Sequence, residues 1–451
     1  MDSQVPVSGV KNPQLDLPRV LGVPAVVAIV LGTVIGSGIF IVPAAIAGHV
    51  KSPMLIMSVW VVGGILSFLG AISFAELGAA FPQAGGVCVY LREAYGRLIA
   101  FLFGWTLFFV IDSGAIATLS VAFSSKYLTY FIPMSPLAIK VVALSLIAFL
   151  TIVNCLGVKW GSGLQTLLTI IKFGAILAVS FVVFAFARGN AGNFTSPPAD
   201  LSSPGLVGAF GLALVASLWA YKGWEVATYS AGEVKNPERN LPLGLFIGTS
   251  LAIVLYLIAN LAYLYVFPAA EIAKSTRIAA DAMNAAVGAA GASIIAFIIL
   301  FSITGAANGN LLTAPRVFFA MARDGLFFRQ LAAVHPKFLT PHVSIIATAA
   351  WAAVLSLSGT FEQLVNYVIF GQWVFFGLTV AAVMVLRRKR PDLKRPYRTW
   401  GYPVTPVLFI LASLFIAFNT LSNQPEYALR GLVIILLGIP AYLYWQRRAR
   451  G

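Results

Sequence analysis

Charge is scarce in this sequence: Lys, Arg, Asp and Glu together make up 10% of its 451 residues. Soluble domains carry about 25%, so a soluble globular protein is excluded. Cysteine is scarcer still. Cys88 and Cys155 are the only two, which excludes a disulfide framework and a cysteine-based zinc cluster. The three histidines, His49, His335 and His342, are scattered along the chain; no metal and no cofactor is expected. Long polar stretches are missing as well. The longest polar connection, Arg188 to Pro204, is too short for a soluble signalling domain of the kind a membrane receptor ordinarily carries. No nucleophile–base or metal-ligand grouping marks an enzyme. Residues 1–19 are polar, with Pro13 and Pro18, and read as a short tail with no signal peptide.

What the sequence has in abundance is apolar runs. Hydrophobic residues make up 59% of the chain, and mean hydropathy is +0.90. Runs near the ~20 residues needed to cross ~30 Å of hydrocarbon recur throughout. Twelve are predicted, at about 20–48, 54–81, 95–124, 136–155, 161–187, 205–231, 242–267, 280–310, 343–358, 362–386, 404–422 and 429–446. The alternating strands of a membrane barrel are absent, so the expected class is an all-α integral membrane protein.

The net charge of +15 is a topology signal rather than a sign of a nucleic-acid partner. With the N-terminus inside, 21 of the 30 basic residues fall on inner segments and seven on outer ones, among them Lys51, Lys126, Lys140 and Arg430. Seven of the inner ones crowd into the stretch from Arg387 to Arg398. That bias predicts both termini in the cytoplasm, with the polybasic stretch against membrane lipids.

Two spans are written oddly for membrane helices. The first contains Gly32-Thr33-Val34-Ile35-Gly36-Ser37-Gly38-Ile39-Phe40, with two poor helix formers at its centre. The sixth contains Ser217-Leu218-Trp219-Ala220-Tyr221-Lys222-Gly223-Trp224-Glu225, a glycine between a lysine and a glutamate. Irregular backbone at membrane depth is tolerated only where protein buries it or it lines a cavity. One alternative is that Gly36-Ser37-Gly38 merely lets helices pack closely. Paired breaks in spans one and six are instead what two inverted repeats, spans 1–5 and 6–10, would place at corresponding positions around a midplane site.

The chain resembles the amino acid–polyamine–organocation superfamily, and within it the L-type amino acid transporters and their bacterial homologues. The resemblance is carried by Gly32–Phe40, Glu76-Leu77-Gly78, Pro82-Gln83-Ala84-Gly85-Gly86 and the tract from Gly232 to Pro242. Ala314-Pro315-Arg316, Ala322-Arg323-Asp324-Gly325 and Arg395-Pro396-Tyr397-Arg398 complete it. It implies a leucine-transporter-type fold with unwound first and sixth helices. The implied organisation is a tail (1–19), helices 1–5 (20–187), helices 6–10 (205–386), a basic loop (387–403), helices 11–12 (404–446) and a tail (447–451). It further implies a sodium-independent transporter of the cell membrane, exchanging small or medium neutral L-amino acids by alternating access. Proton-coupled symport is the alternative.

An amino acid presents a carboxylate and an ammonium. The N–H groups of Ser37, Gly38 and Ile39, beside Gly36, suit the carboxylate at the positive end of a half-helix. The resemblance places the ammonium on the carbonyls of Val34, Trp219, Ala220 and Lys222. It makes Trp219 an aromatic gate, with Val110 and Ile111 in the pocket wall; a plain core aromatic is the other reading of Trp219. Lys172, near the centre of the fifth span, matches a lysine that tethers the first helix to the eighth in the place of a sodium ion. A structural lysine bonded to carbonyls is the alternative. Asp112, Lys222 and Glu225 depart from the family pattern and form either a structural network or a proton-sensitive gate. Glu233, Glu238 and Arg239 are candidates for gating salt bridges or belong to a simple connecting loop. The connection from Ser124 to Lys140 has no cysteine. Animal L-type transporters use one there, so no disulfide-linked heavy subunit is expected, in keeping with a prokaryotic origin.

Overall fold

The computed structural model describes residues 17–195, 197, 205–358 and 361–448. Residues 1–16 of the expected tail, residues 196 and 198–204 of the polar connection, residues 359–360 and the last three residues lie outside that range. Among the described residues there is no β-strand; one isolated bridge pairs Leu21 with Val234. Everything else of consequence is helical.

The first span is broken as the glycines suggest. Helix α1 (Val23–Val34) stops at Ile35, and α2 (Gly38–Val50) restarts after three residues, bent by 40°. Then follow α3 (Pro53–Ala80), the short amphipathic α4 (Val87–Tyr95), α5 (Arg97–Tyr130), α6 (Pro136–Cys155) and α7 (Val158–Phe186). The sixth span starts as α8 (Leu206–Ala220) and turns at Gly223, whose φ is +124°. It resumes in a tighter 3-10 segment, Trp224–Glu233. Helices α9 (Pro237–Val266), α10 (Ile278–Val287), α11 (Ala289–Thr313) and α12 (Pro315–Arg323) follow. The chain closes with α13 (His342–Ser358), α14 (Phe361–Lys389), α15 (Val404–Asn423) and α16 (Pro425–Arg448).

Nine of these helical stretches are long and apolar enough to cross a bilayer, and the bent pair α1–α2 makes ten among the described residues. Helices α13 and α14 coincide with the ninth and tenth expected runs. The eighth run differs from expectation. Gly288, with φ of +78°, divides it, so that α10 stands apart and the long stretch begins at Ala289. A periodicity count reads across such a glycine because the apolar residues on either side continue in phase.

Burial separates an inner set of helices from an outer one. Val26, Ala28 and every residue from Ile29 to Phe40 are buried. In contrast, α6, α7 and α15 present Val141, Phe149, Ile152, Leu167, Ile170, Phe181, Leu411, Leu414 and Phe418 on the surface. An apolar surface of this kind suits lipid, which asks no hydrogen bonds of it. The two broken spans therefore lie in the interior, where their loose backbone groups can be met by protein or ligand.

Candidate functional site

The two breaks touch each other. A β-carbon on Gly38 would lie 2.5 Å from Cα of Ala220, and one on Gly223 would lie 2.8 Å from the carbonyl carbon of Thr33. Glycine is required at both contacts, and at Gly223 its positive φ requires it a second time. Tyr256 from α9 ties the same two ends together. Its hydroxyl lies 2.8 Å from the Val34 carbonyl and 3.1 Å from that of Ala220, and its single proton serves one carbonyl at a time.

At the first break the backbone hydrogen bonds run out. Gly36 N–H donates to Val34, while Phe40 and Ile41 both donate to Ser37. Among the described residues no acceptor meets the N–H of Ser37, Gly38 or Ile39, and the buried Ser37 hydroxyl also has no partner. Leaving such groups unmet costs about 1–3 kcal/mol each, so the segment is set up for an anionic guest at the start of α2.

Ser37 and Gly38 border a cavity of about 20 Å³ lined also by Val34, Gly36, Trp219 and Lys222. That volume holds about one water. Trp219 also forms the end of a second cavity of about 420 Å³ lined by Ile41, His49, Lys126, Ala216 and Gln424. Trp219 thus lines both cavities. Near Glu233, backbone and ion-pair contacts form a seal between segments, beside a cavity of about 480 Å³ lined by Arg19, Arg92, Gly232 and Asp324. The N–H groups of Val20 and Leu21 donate to Glu233 O at 2.8 and 2.9 Å. The Glu233 carboxylate takes two hydrogen bonds from Arg316, at 2.9 and 3.2 Å, both side chains being fully buried. The guanidinium of Arg92 bonds Asp324 nearby.

The wall from α5 differs from expectation. Val110 and Ile111 are buried but do not line the cavity; Ala115 and Leu119 do. The reason is a wide π-helical turn at Leu107–Ile111, closed by the Asp112 N–H donating to Leu107 O. An added residue in the turn resets which side chains face inward, and such turns recur at functional sites. Here the reset brings Asp112 into the interior. Ile39 and Ala220 do not line the cavity either; Ile39 contributes its N–H, and Ala220 packs on Gly38.

Lys172 is fully buried, and its ammonium donates to the carbonyls of Gly32 (2.5 Å), Ile35 (2.6 Å) and Ser302 (3.1 Å). It holds the frayed end of α1 against α11. A central lysine costs about 2.5–3.5 kcal/mol on insertion scales, which three carbonyl partners offset. Lys222 sits among acids: 3.0 Å from Asp112 Oδ1 and 3.8 Å from Glu225 Oε1, with Asn310 Oδ1 at 3.3 Å. Glu225 also accepts from Gly223 N–H at 3.0 Å and from Gln372 at 2.7 Å. Sequence reasoning brought Lys222, Asp112 and Glu225 together but missed Tyr256, Asn310, Gln372 and Ser302. Each is a polar side chain inside an apolar run, which was the available signal.

Residues 21–439 match the sequence profile described as amino acid permease. The chain belongs to the amino acid permease family. Its relatives include the mouse b(0,+)-type amino acid transporter 1, 33% identical over 96% of this chain and 90% of that protein. The serine/threonine exchanger SteT of Bacillus subtilis is 33% identical over 96% of this chain and 98% of its own. The mouse large neutral amino acids transporter small subunit 2 is 31% identical over 96% of this chain and 83% of its own. This permease is accordingly a multi-pass membrane transporter and not an enzyme.

Proposed function

We propose that this permease exchanges small or medium neutral L-amino acids, without sodium, by alternating access. The observation that carries the reading is the trio of unmet N–H groups at Ser37, Gly38 and Ile39, with Ser37 and Gly38 bordering the 20 Å³ cavity. They suit a substrate carboxylate, while the carbonyls of Val34, Trp219, Ala220 and Lys222 suit its ammonium. Recognition through backbone atoms is indifferent to the side chain, so selectivity falls to the cavity wall. Trp219 acts as the gate toward the 420 Å³ cavity, and the Glu233–Arg316 pair as the closure on the other side. Lys172 stands where a sodium ion would otherwise join α1 to α11. A relative named as an exchanger supports the exchange mode.

In this reading the twelve helical spans form two inverted repeats, 20–187 and 205–386, followed by helices at 404–446. The basic loop 387–403 and both tails lie on the cytoplasmic side of a prokaryotic plasma membrane, and the 420 Å³ cavity opens outward. One relative is named a small subunit. We propose that this chain works without a disulfide-linked partner, because the connection from 124 to 140 has no cysteine and Cys88 is buried. Burial also pushes the Cys88 thiol up to about 12.

Uptake into proteoliposomes tests the function. Loaded vesicles should take up labelled neutral amino acids equally well in sodium or choline, and empty vesicles should take up little. Uptake into empty vesicles driven by acid outside would replace exchange with proton symport. That second reading is favoured by the two carboxylates, Asp112 and Glu225, flanking the single ammonium of Lys222. Under it, Glu225→Gln flattens the pH profile of transport; an unaltered profile removes Glu225 from any proton step.

A further inference from the structure

The small cavity is lined by chemically different groups. Ser37 and Gly38 bring the unmet backbone N–H groups. Lys222 and Asn310 bring polar side chains, and Ala115, Leu119 and Ala306 bring apolar ones. Resting on the reading of this cavity as an amino acid site, we propose that Lys222 and Asn310 form a side-chain subsite selecting short substrates that end in a hydroxyl.

Hydrogen-bond counting supports it. An ammonium has three donors. Lys222 uses one on Asp112 Oδ1 at 3.0 Å and one on Asn310 Oδ1 at 3.3 Å. Glu225 Oε1, at 3.8 Å, is beyond hydrogen-bond reach. One donor is therefore left for a guest. Asn310 spends its amide on the Ala306 carbonyl, 2.8 Å away, and its Oδ1 keeps a second lone pair. A hydroxyl satisfies both, accepting from Lys222 and donating to Asn310. A methyl group of the same size satisfies neither.

Charge and size narrow the class further. A cationic side chain would meet the Lys222 ammonium. An anionic one would approach two carboxylates, Asp112 and Glu225, that already outnumber that ammonium. Neutral substrates remain. A β-carbon on Gly36 would lie 3.1 Å from Ala306 and 3.6 Å from Leu119, so the first break, α5 and α11 close tightly and limit the side chain to a few atoms. Asp112 is a positioning residue here, since it fixes the ammonium that meets the guest.

The test uses isosteric pairs in exchange by the full-length protein in loaded proteoliposomes: L-serine against L-2-aminobutyrate, and L-threonine against L-valine. Each pair differs by a hydroxyl in place of a methyl. A site built for the hydroxyl rejects the methyl analogue strongly, so kcat/KM should favour serine and threonine at least about tenfold. Asn310→Leu should bring both ratios near unity, chiefly by raising KM for the hydroxylated partner. Ratios near unity in the unmodified protein overturn the subsite, as does a serine preference that persists in Asn310→Leu. The unmodified protein decides the matter even where the variant does not fold. Absence of exchange with any of the four would defeat the amino acid reading itself.

Discussion

Lys172 and Gly38 show how much of this site hangs on single residues whose work is done on backbone atoms. The Lys172 ammonium joins Gly32 and Ile35 on the first broken helix to Ser302 on α11, beside the Ser302 hydroxyl, which lies 3.3 Å from the Ile35 carbonyl and 3.4 Å from that of Gly36. Hydrogen bonds to a charged group contribute about 1.5–3 kcal/mol each, so Lys172→Ala should lower exchange turnover at least tenfold. Unchanged turnover in liposomes would remove Lys172 from the mechanism. Gly38 has a different constraint: any side chain there meets Ala220 Cα at 2.5 Å. Overpacking of this kind costs about 1–3 kcal/mol. Gly38→Val should abolish exchange and lower thermal stability in detergent; normal exchange would show that the two breaks need not touch. Both residues were legible in the sequence, because a lysine or a glycine pair inside an apolar run is costly unless used. Tyr256 and Asn310 were not singled out. They too are polar residues in apolar runs, but their partners, Val34, Ala220 and Lys222, come from distant spans that only the fold brings near.

At the scale of elements, the breaks in spans one and six could be read from composition, whereas the π-helical turn in α5 could not. A helix with an added residue keeps the same apolar composition, and packing decides where the turn goes. That is why Val110 and Ile111 were expected in the wall and Ala115 and Leu119 occupy it. The pairing of residues 20–21 with Glu233 and Lys235 was equally hidden, since it joins segments more than two hundred positions apart. The Glu233–Arg316 pair holds that seal. Removing one partner of a buried ion pair costs about 3–5 kcal/mol, because the other charge is left alone. Arg316→Met should therefore lower the unfolding temperature in detergent substantially, and Glu233→Gln with Arg316→Met should recover part of the loss. Equal stability of the single and double variants would show that the ion pair does not hold the seal.

For the molecule as a whole, charge distribution predicts orientation. The polybasic stretch from Arg387 to Arg398 is held to the helix ends by Glu76, which takes two hydrogen bonds from Arg387 at 2.9 and 2.7 Å. Arg390 reaches Glu93 at 2.8 Å, and Lys394 points outward, 83% exposed. A cysteine placed at Lys394 should resist an impermeant maleimide in intact cells, and one placed at Lys140 should react. The reverse pattern would invert the topology and turn the 420 Å³ cavity toward the cytoplasm.

The central claim is that unmet N–H groups at Ser37, Gly38 and Ile39 grip the substrate carboxylate, and neutralising that carboxylate tests it most directly. Exchange of labelled L-alanine in loaded proteoliposomes should be inhibited by unlabelled L-alanine and hardly at all by L-alanine methyl ester. Loss of even one charge-assisted hydrogen bond, about 1.5–3 kcal/mol, weakens binding at least tenfold. Equal inhibition by the ester and the free acid would contradict the account.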